Sequence, residues 1–282
     1  MRIDSHHHLW DLAISPRPWL AGEMLAGISR TFSMKDFYAE RASAQIDQSI
    51  LVQTISEYDE MKEFFAVAAE HESVAGVVAW IDMSNTDCFQ QLEKYLDLPG
   101  AERLVGIRDG AQGRADAKWL AGDQIAVNAR KLAEKDLTFD LLVDPSNLAA
   151  STQLVSHCPD TTFVLDHIGK PNIAKGDQGE LAAWSHSINE LAKNKNVSCK
   201  ISGMVTEADW KAWKEKDFKR YFEVVLNAFG ADRIMYGSDW PVCKLAATYE
   251  QVAQLAEYLI QDLIPSEKEK FWALNAKKAY GI

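Results

Sequence analysis

Disulfide chemistry is the first thing this chain lacks. Its four cysteines, Cys88, Cys158, Cys199 and Cys243, include no C-x-x-C pair. Thiols without a disulfide framework read as reduced, partly buried side chains suited to a reducing cytosol. Positive charge is scarce too: 30 Lys and Arg stand against 41 Asp and Glu, a net of −11. A protein that holds nucleic acid or an anionic membrane presents a basic face, because neutralising phosphate drives that binding. Neither partner is expected here. No apolar run reaches membrane-spanning length, and the first residues carry no signal-peptide apolar core, so a cytoplasmic protein is expected. Low-complexity tracts, solenoid-period repeats and linkers are missing as well. Histidine is sparse, seven in 282 residues, yet three of the seven stand together in the opening MRIDSHHHLWD.

What is present is a recurring alternation. Eight short apolar, β-branched runs lie at 2–6, 50–54, 76–81, 104–108, 138–143, 162–167, 197–202 and 234–239. They lack a clean polar alternation, as expected of parallel strands covered on both faces. Amphipathic stretches at 57–71, 85–96, 119–135, 145–157, 179–194 and 248–263 predict helices, with Asn85 or Thr86, Ser146 and Thr248 as caps. Residues 206–229 predict two more helices, and 266–279 a last one after Pro265, where Ser266 and Glu269 match a capping box. Eight strands alternating with helices predict an α/β fold, a single-domain (β/α)8 TIM barrel over 1–282, with an open doubly wound sheet as the alternative. The long segment 9–48 after the first strand, containing Pro16, Pro18 and Trp19, is expected to form a lid or specificity wall.

Barrel enzymes carry their chemistry at the C-terminal ends of the strands, and several runs end in polar residues. Strand alternation puts His6 and His8 on one face and turns His7 away. Such a pair holds a metal, or aims two imidazoles at one substrate oxygen. A tag remnant does not fit, because the triplet follows Ile3-Asp4 and runs into Leu9-Trp10 without a break. Arg108 ends the fourth run; it offers a fork for a carboxylate or carbonyl, or pairs with Asp109 or Asp116. His167 ends the sixth run, between Asp166 and Lys170, two residues read as structural. Lys200 stands inside the seventh run, where a lysine is costly unless paired; serving the site and joining a stacked ion pair are both open. Asp239 ends the last run, and a carboxylate facing histidines suits proton abstraction from water.

In order along the chain, I-D-S-H-H-H-L-W, A-W-I-D (79–82), G-I-R (106–108), F-D-L-L-V (139–143), L-D-H-I-G-K-P (165–171), C-K-I-S-G (199–203) and Y-G-S-D-W-P-V (236–242) resemble the amidohydrolase superfamily, in its amidohydrolase-2 branch of sugar-lactonase-like hydrolases. The resemblance implies a distorted (β/α)8 barrel that opens lactones to hydroxy acids. It implies that His6, His8 and His167 polarise the lactone carbonyl directly or through one divalent metal, that Asp239 activates water, and that Arg108 lies near the substrate carbonyl or carboxylate. Hydroxyls of a sugar acid would be read by residues such as Gln53, Arg108, Gln112, Trp80, Trp240 and Lys200. A binuclear metal centre is not expected: His71, His157 and His186 fall in or beside predicted helices, and Lys200 occupies the run where a second late-strand histidine would be needed. One Zn²⁺ on His6, His8, His167 and Asp239 is chemically reasonable, but it would spend Asp239 as a ligand, so a site requiring no cofactor is preferred. A metal-dependent decarboxylase of the same superfamily and a non-catalytic sugar-acid-binding barrel are the alternatives.

Overall fold

The apolar runs pair as eight parallel strands in sequential order, β1 to β8. In the computed structural model, which describes residues 1–282, these are β1 (Ile3–His7), β2 (Gln48–Val52), β3 (Val74–Ala79), β4 (Leu104–Arg108), β5 (Thr138–Leu141), β6 (Phe163–Leu165), β7 (Val197–Ile201) and β8 (Ile234–Tyr236). The ring is closed at β1 and β8 by a bridge from His7 to Trp240. Backbone bonds from His8 N to Trp240 O (2.7 Å) and Asp239 N to His6 O (2.8 Å) join the same strand ends. Asp4 ties them together as well, its carboxylate accepting from the Ser238 N–H and hydroxyl and from the Tyr249 hydroxyl. This is the expected (β/α)8 barrel.

Two apolar layers support it. One packs the outer face of the strands against the helices α1 (Met34–Arg41), α2 (Glu60–Glu70), α3 (Cys88–Glu93), α4 (Asp123–Ala133), α5 (Leu148–His157), α6 (Gln178–Ala192), α7 (Glu215–Phe229) and α8 (Tyr249–Leu259). The other is a smaller cluster drawn from strand residues such as Ile3, Ile50, Val52, Val164 and Met235. It is sealed by Ala273, Ala276 and Tyr280, from a terminal helical stretch composed of α9 (Pro265–Glu269), a π-helical turn (Lys270–Leu274) and α10 (Asn275–Tyr280). No helix is long and apolar enough to cross a membrane.

Some local expectations are corrected. Residues 206–229 hold one helix, α7, preceded by a 3-10 turn at Val205–Glu207, because Asp209 bonds its own loop at Lys211 N and the Trp210 indole donates to Thr206 O. Ser266 does not cap the last helix; Glu267 accepts from the Ile264 N–H, and Pro265 takes the first helical position. Thr248 does cap α8, accepting from Gln251 N. The segment between β1 and β2 folds over the barrel mouth. Trp10 and Phe32 form an antiparallel bridge within it. Arg17, its side chain fully buried, pins it to Thr54, Glu60 and Glu63.

Candidate active site

The register of β1 is interrupted between Asp4 and His7. This irregularity changes the parity of the strand. Ile3 belongs to the inner cluster and Asp4 bonds outward to Tyr249 on α8, yet His6 and His8 both face the barrel mouth. His7 points away and stacks on Phe37 of α1 with ring centroids 4.1 Å apart.

The strands β6 and β8 stop before their polar residues do. His167 and Asp239 both sit in the left-handed region, at φ 54° and 57°. Strained backbone of this kind is costly for residues with a Cβ and gathers at functional sites. It turns both side chains into the mouth. Two glycines make space for His167 and for His6. A Cβ on Gly203 would lie 2.6 Å from His167 Nδ1, and one on Gly237 would lie 2.8 Å from His6 Cβ.

Asp239 Oδ1 lies 3.4 Å from His8 Nε2, 3.8 Å from His6 Nε2 and 3.9 Å from His167 Nε2. Burial works to raise the pKa of Asp239, but the neighbouring imidazoles, His167 foremost, hold it well below the ordinary carboxylate value. Burial drives His167 down to about 4 and His6 well below its ordinary value, so these rings are neutral near pH 7. Behind them, His8 Nδ1 is 2.7 Å from Val52 O and His167 Nδ1 is 2.9 Å from Ser202 Oγ. Partners on the far ring nitrogen fix an imidazole's orientation. The ligand atoms of His6, His167 and Asp239 all lie within 4.8 Å of one another. Two imidazoles and a carboxylate so grouped, with His8 adjoining, fit one divalent cation.

His8, His167 and Asp239, with His6 buried behind them, floor a cavity of about 390 Å³, walled by Trp19, Gln53, Thr54, Ser56, Arg108, Gln112, Leu142, Lys170 and Val242. Of the predicted substrate readers, Gln53, Arg108 and Gln112 reach it. Arg108 is largely committed within the protein: Nη1 is 2.9 Å from Asp166 Oδ2, and Nη2 donates to Gln53 O and Oε1. Asp109, offered as its partner, pairs with Arg114. Three expectations are corrected. Trp240 is fully buried between Phe32 and Phe37, because its chain closes the barrel there. Trp80 lines an adjoining polar groove with Asp82 and Ser84. Lys200 is sealed beneath His6 with 0% exposure and does not meet the cavity.

Lys170, read as structural, lines the mouth while pairing with Glu207 at 2.8 Å. Asp140 and Tyr280 went unread. Lys200 Nζ is 2.6 Å from Asp140 Oδ2 and 3.0 Å from Asp166 Oδ1, and the Tyr280 hydroxyl donates to Asp140 Oδ2 at 2.7 Å. A carboxylate inside the apolar run TFDLLV is as costly as a lysine inside VSCKIS, so the signal for Asp140 was present. Nothing local marks Tyr280.

The amidohydrolase family model matches residues 3–282. The L-fucono-1,5-lactonase of Burkholderia multivorans is 32% identical, the match covering 100% of this chain and 96% of that protein. The L-fucono-1,5-lactonase of Burkholderia ambifaria is 33% identical over 88% of this chain and 83% of its own. A crystal structure of an amidohydrolase from Burkholderia multivorans with bound zinc has a TM-score of 0.93 and 30% identity, covering 100% of this chain and 99% of that one.

Proposed function

The chain belongs to the amidohydrolase family and is a hydrolase of sugar lactones; we propose that its substrate is a six-membered-ring lactone of a deoxyhexonic acid and that Asp239 activates the attacking water. The observation that carries this is Asp239, its Oδ1 ringed by three histidines at the floor of a polar cavity. Two relatives, matched over 100% and 88% of this chain, are L-fucono-1,5-lactonases, which supports the ring size and the sugar class.

The lactone carbonyl oxygen lies toward His6, His8 and His167, with Arg108 beside them. Asp239 is ionised across the physiological range, since its pKa is depressed. All three imidazoles face its Oδ1, which leaves Oδ2 to accept a proton from water as the water oxygen bonds to the carbonyl carbon. Negative charge gathers on the former carbonyl oxygen, where preplaced donors lower its energy. The ring C–O bond then breaks, and Asp239 returns its proton to the departing alkoxide, giving the hydroxy acid. A divalent cation held by His6, His8, His167 and Asp239 would act as a Lewis acid on the same carbonyl oxygen.

Asp239→Asn keeps the shape and removes the base. On a lactone that the wild type turns over, followed with a pH indicator, kcat is expected to fall by about 10²–10⁴. Turnover within a few-fold of wild type removes the base assignment. A panel of 1,5- and 1,4-aldonolactones, run with and without Zn²⁺ or Mn²⁺, tests the substrate class, and preference for a 1,4-lactone overturns the ring size.

A further inference from the structure

Lys200 is a buried ammonium with three acceptors around it. Asp140 Oδ2 is at 2.6 Å, Asp166 Oδ1 at 3.0 Å and His6 Nδ1 at 3.2 Å. An ammonium has three hydrogens and no lone pair, so His6 Nδ1 must accept, and the proton of the neutral ring must sit on Nε2. The opposite end of the ring agrees. His8 Nδ1 is 2.7 Å from Val52 O, a carbonyl that can only accept, so His8 carries a proton on Nδ1. A neutral His8 then accepts at Nε2, which lies 3.1 Å from His6 Nε2.

The other tautomer places the proton of His6 on Nδ1, in front of the ammonium. Its acceptor would be Asp166 Oδ1 at 3.3 Å, an oxygen that Lys200 Nζ approaches more closely, at 3.0 Å. A second approach also favours this alternative: Arg108 Nη1 lies 3.3 Å from His6 Nε2. It is longer than the contacts from Lys200 and His8, and Nη1 already has Asp166 Oδ2 at 2.9 Å. Lys200 itself is held from below. Asp140 accepts from the Tyr280 hydroxyl at 2.7 Å and from Thr138 Oγ1 at 3.2 Å, so the anchor is fixed by the terminal helix.

We propose that Lys200 is a positioning residue that holds His6 as its Nε2–H tautomer, a donor that faces His8 Nε2 at 3.1 Å and that the lactone carbonyl oxygen shares when it enters the site. This rests on the lactone-hydrolase reading for its catalytic consequence. The geometry has a second consequence that does not rest on it. A metal ligand must offer a lone pair, and His6 Nε2 offers one only after its proton moves to Nδ1, facing Lys200. Lys200 therefore opposes metal binding at His6, and the same ammonium that supports catalysis by the bare protein weakens its hold on a cation.

The direct test needs no variant. Long-range proton–nitrogen spectra of the metal-stripped wild type labelled with ¹⁵N-histidine, with His6 assigned from the spectrum of His6→Gln, should show His6 protonated at Nε2; protonation at Nδ1 overturns the proposal. Lys200→Met then separates the two consequences. Metal-stripped kcat should fall roughly 10²-fold, the usual loss of one oxyanion donor, with KM little changed. Zinc affinity, measured by chelator competition, should rise by at least about tenfold, on the scale of other changes behind a metal ligand. Unchanged or weaker zinc binding counts against the proposal. Where Lys200→Met fails to fold, Lys200→Met/Asp140→Asn removes one charge of each sign and carries the same expectations. If the wild type opens no lactone, the functional reading falls, while the tautomer and the zinc affinity still decide this inference.

Discussion

Gly203 follows β7 at φ +61°, and a Cβ there would meet His167 at 2.6 Å from Nδ1, 2.7 Å from Cγ and 2.9 Å from Cβ. In Gly203→Ala two costs add. The left-handed backbone costs an alanine about 1 kcal/mol. The clash is not with a flexible chain end. His167 has its own backbone held at φ 54° and its Nδ1 at 2.9 Å from Ser202 Oγ, so it yields only by moving the loop, an overpacking cost of roughly 1–3 kcal/mol. The expected destabilisation is about 2–4 kcal/mol. Gly281→Ala is the control, since that glycine lies in the left-handed region at φ 67°, ψ 29° with nothing within 4 Å of the added carbon; it should cost about 1 kcal/mol. Activity should separate the two more sharply. Displacing a catalytic ring by about 1 Å costs around 10²-fold in rate, so Gly203→Ala should lose most of its kcat/KM and Gly281→Ala none. Urea melts and lactone turnover on both variants measure this. Equal stability losses, or a Gly203→Ala enzyme within a few-fold of wild type, would refute the reasoning that this glycine exists to admit His167.

Two further outcomes follow from the same geometry. His7 is buried with neither ring nitrogen bonded, and burial holds its pKa well below the ordinary value; the unfolded chain therefore takes a proton near pH 6.5 that the folded one refuses. His7→Phe keeps the stack on Phe37 and should stabilise the protein, with its advantage growing as pH falls below 6.5, by up to about 1.4 kcal/mol per unit; an advantage that stays flat in urea melts from pH 7.5 to 5 would sink this. Arg17→Met unpins the loop that carries Trp19 to the cavity and leaves Glu60 and Glu63 without their cation; KM should rise more than kcat falls, and the reverse split would mean that the loop does not shape the substrate's side of the site.

Much of this was legible because its signals are local. Apolar runs at barrel spacing, Thr248 before α8, and histidines or a carboxylate at the ends of buried runs each announce themselves within a few residues. The H-x-H alternation of β1 puts His6 and His8 on one face and His7 on the other, as the structure does, although the strand breaks register between Asp4 and His7. Alternation beyond the break is undisturbed, so His6 and His8 share a face, while the parity back to Ile3 is lost and could not be read. Trp240 misled for a related reason. It follows Asp239 immediately, yet Asp239 turns through the left-handed region and sends the next residue into the Phe32–Phe37 cluster.

The pairings were the part that could not be read. Lys200 and Asp140 each stand out as a charge inside an apolar run, but their meeting depends on β5, β6 and β7 directing those positions into one barrel interior. Tyr280 arrives there from a helix 140 residues beyond Asp140. The consequence is chemical as well as structural. A sequence reading can assign histidines to a site, but whether His6 offers a proton or a lone pair depends on what faces its other nitrogen. Here that group is an ammonium held between two buried carboxylates. The metal question for this barrel therefore turns on a residue that touches neither metal nor substrate, and changing Lys200 should move catalysis and cation affinity in opposite directions.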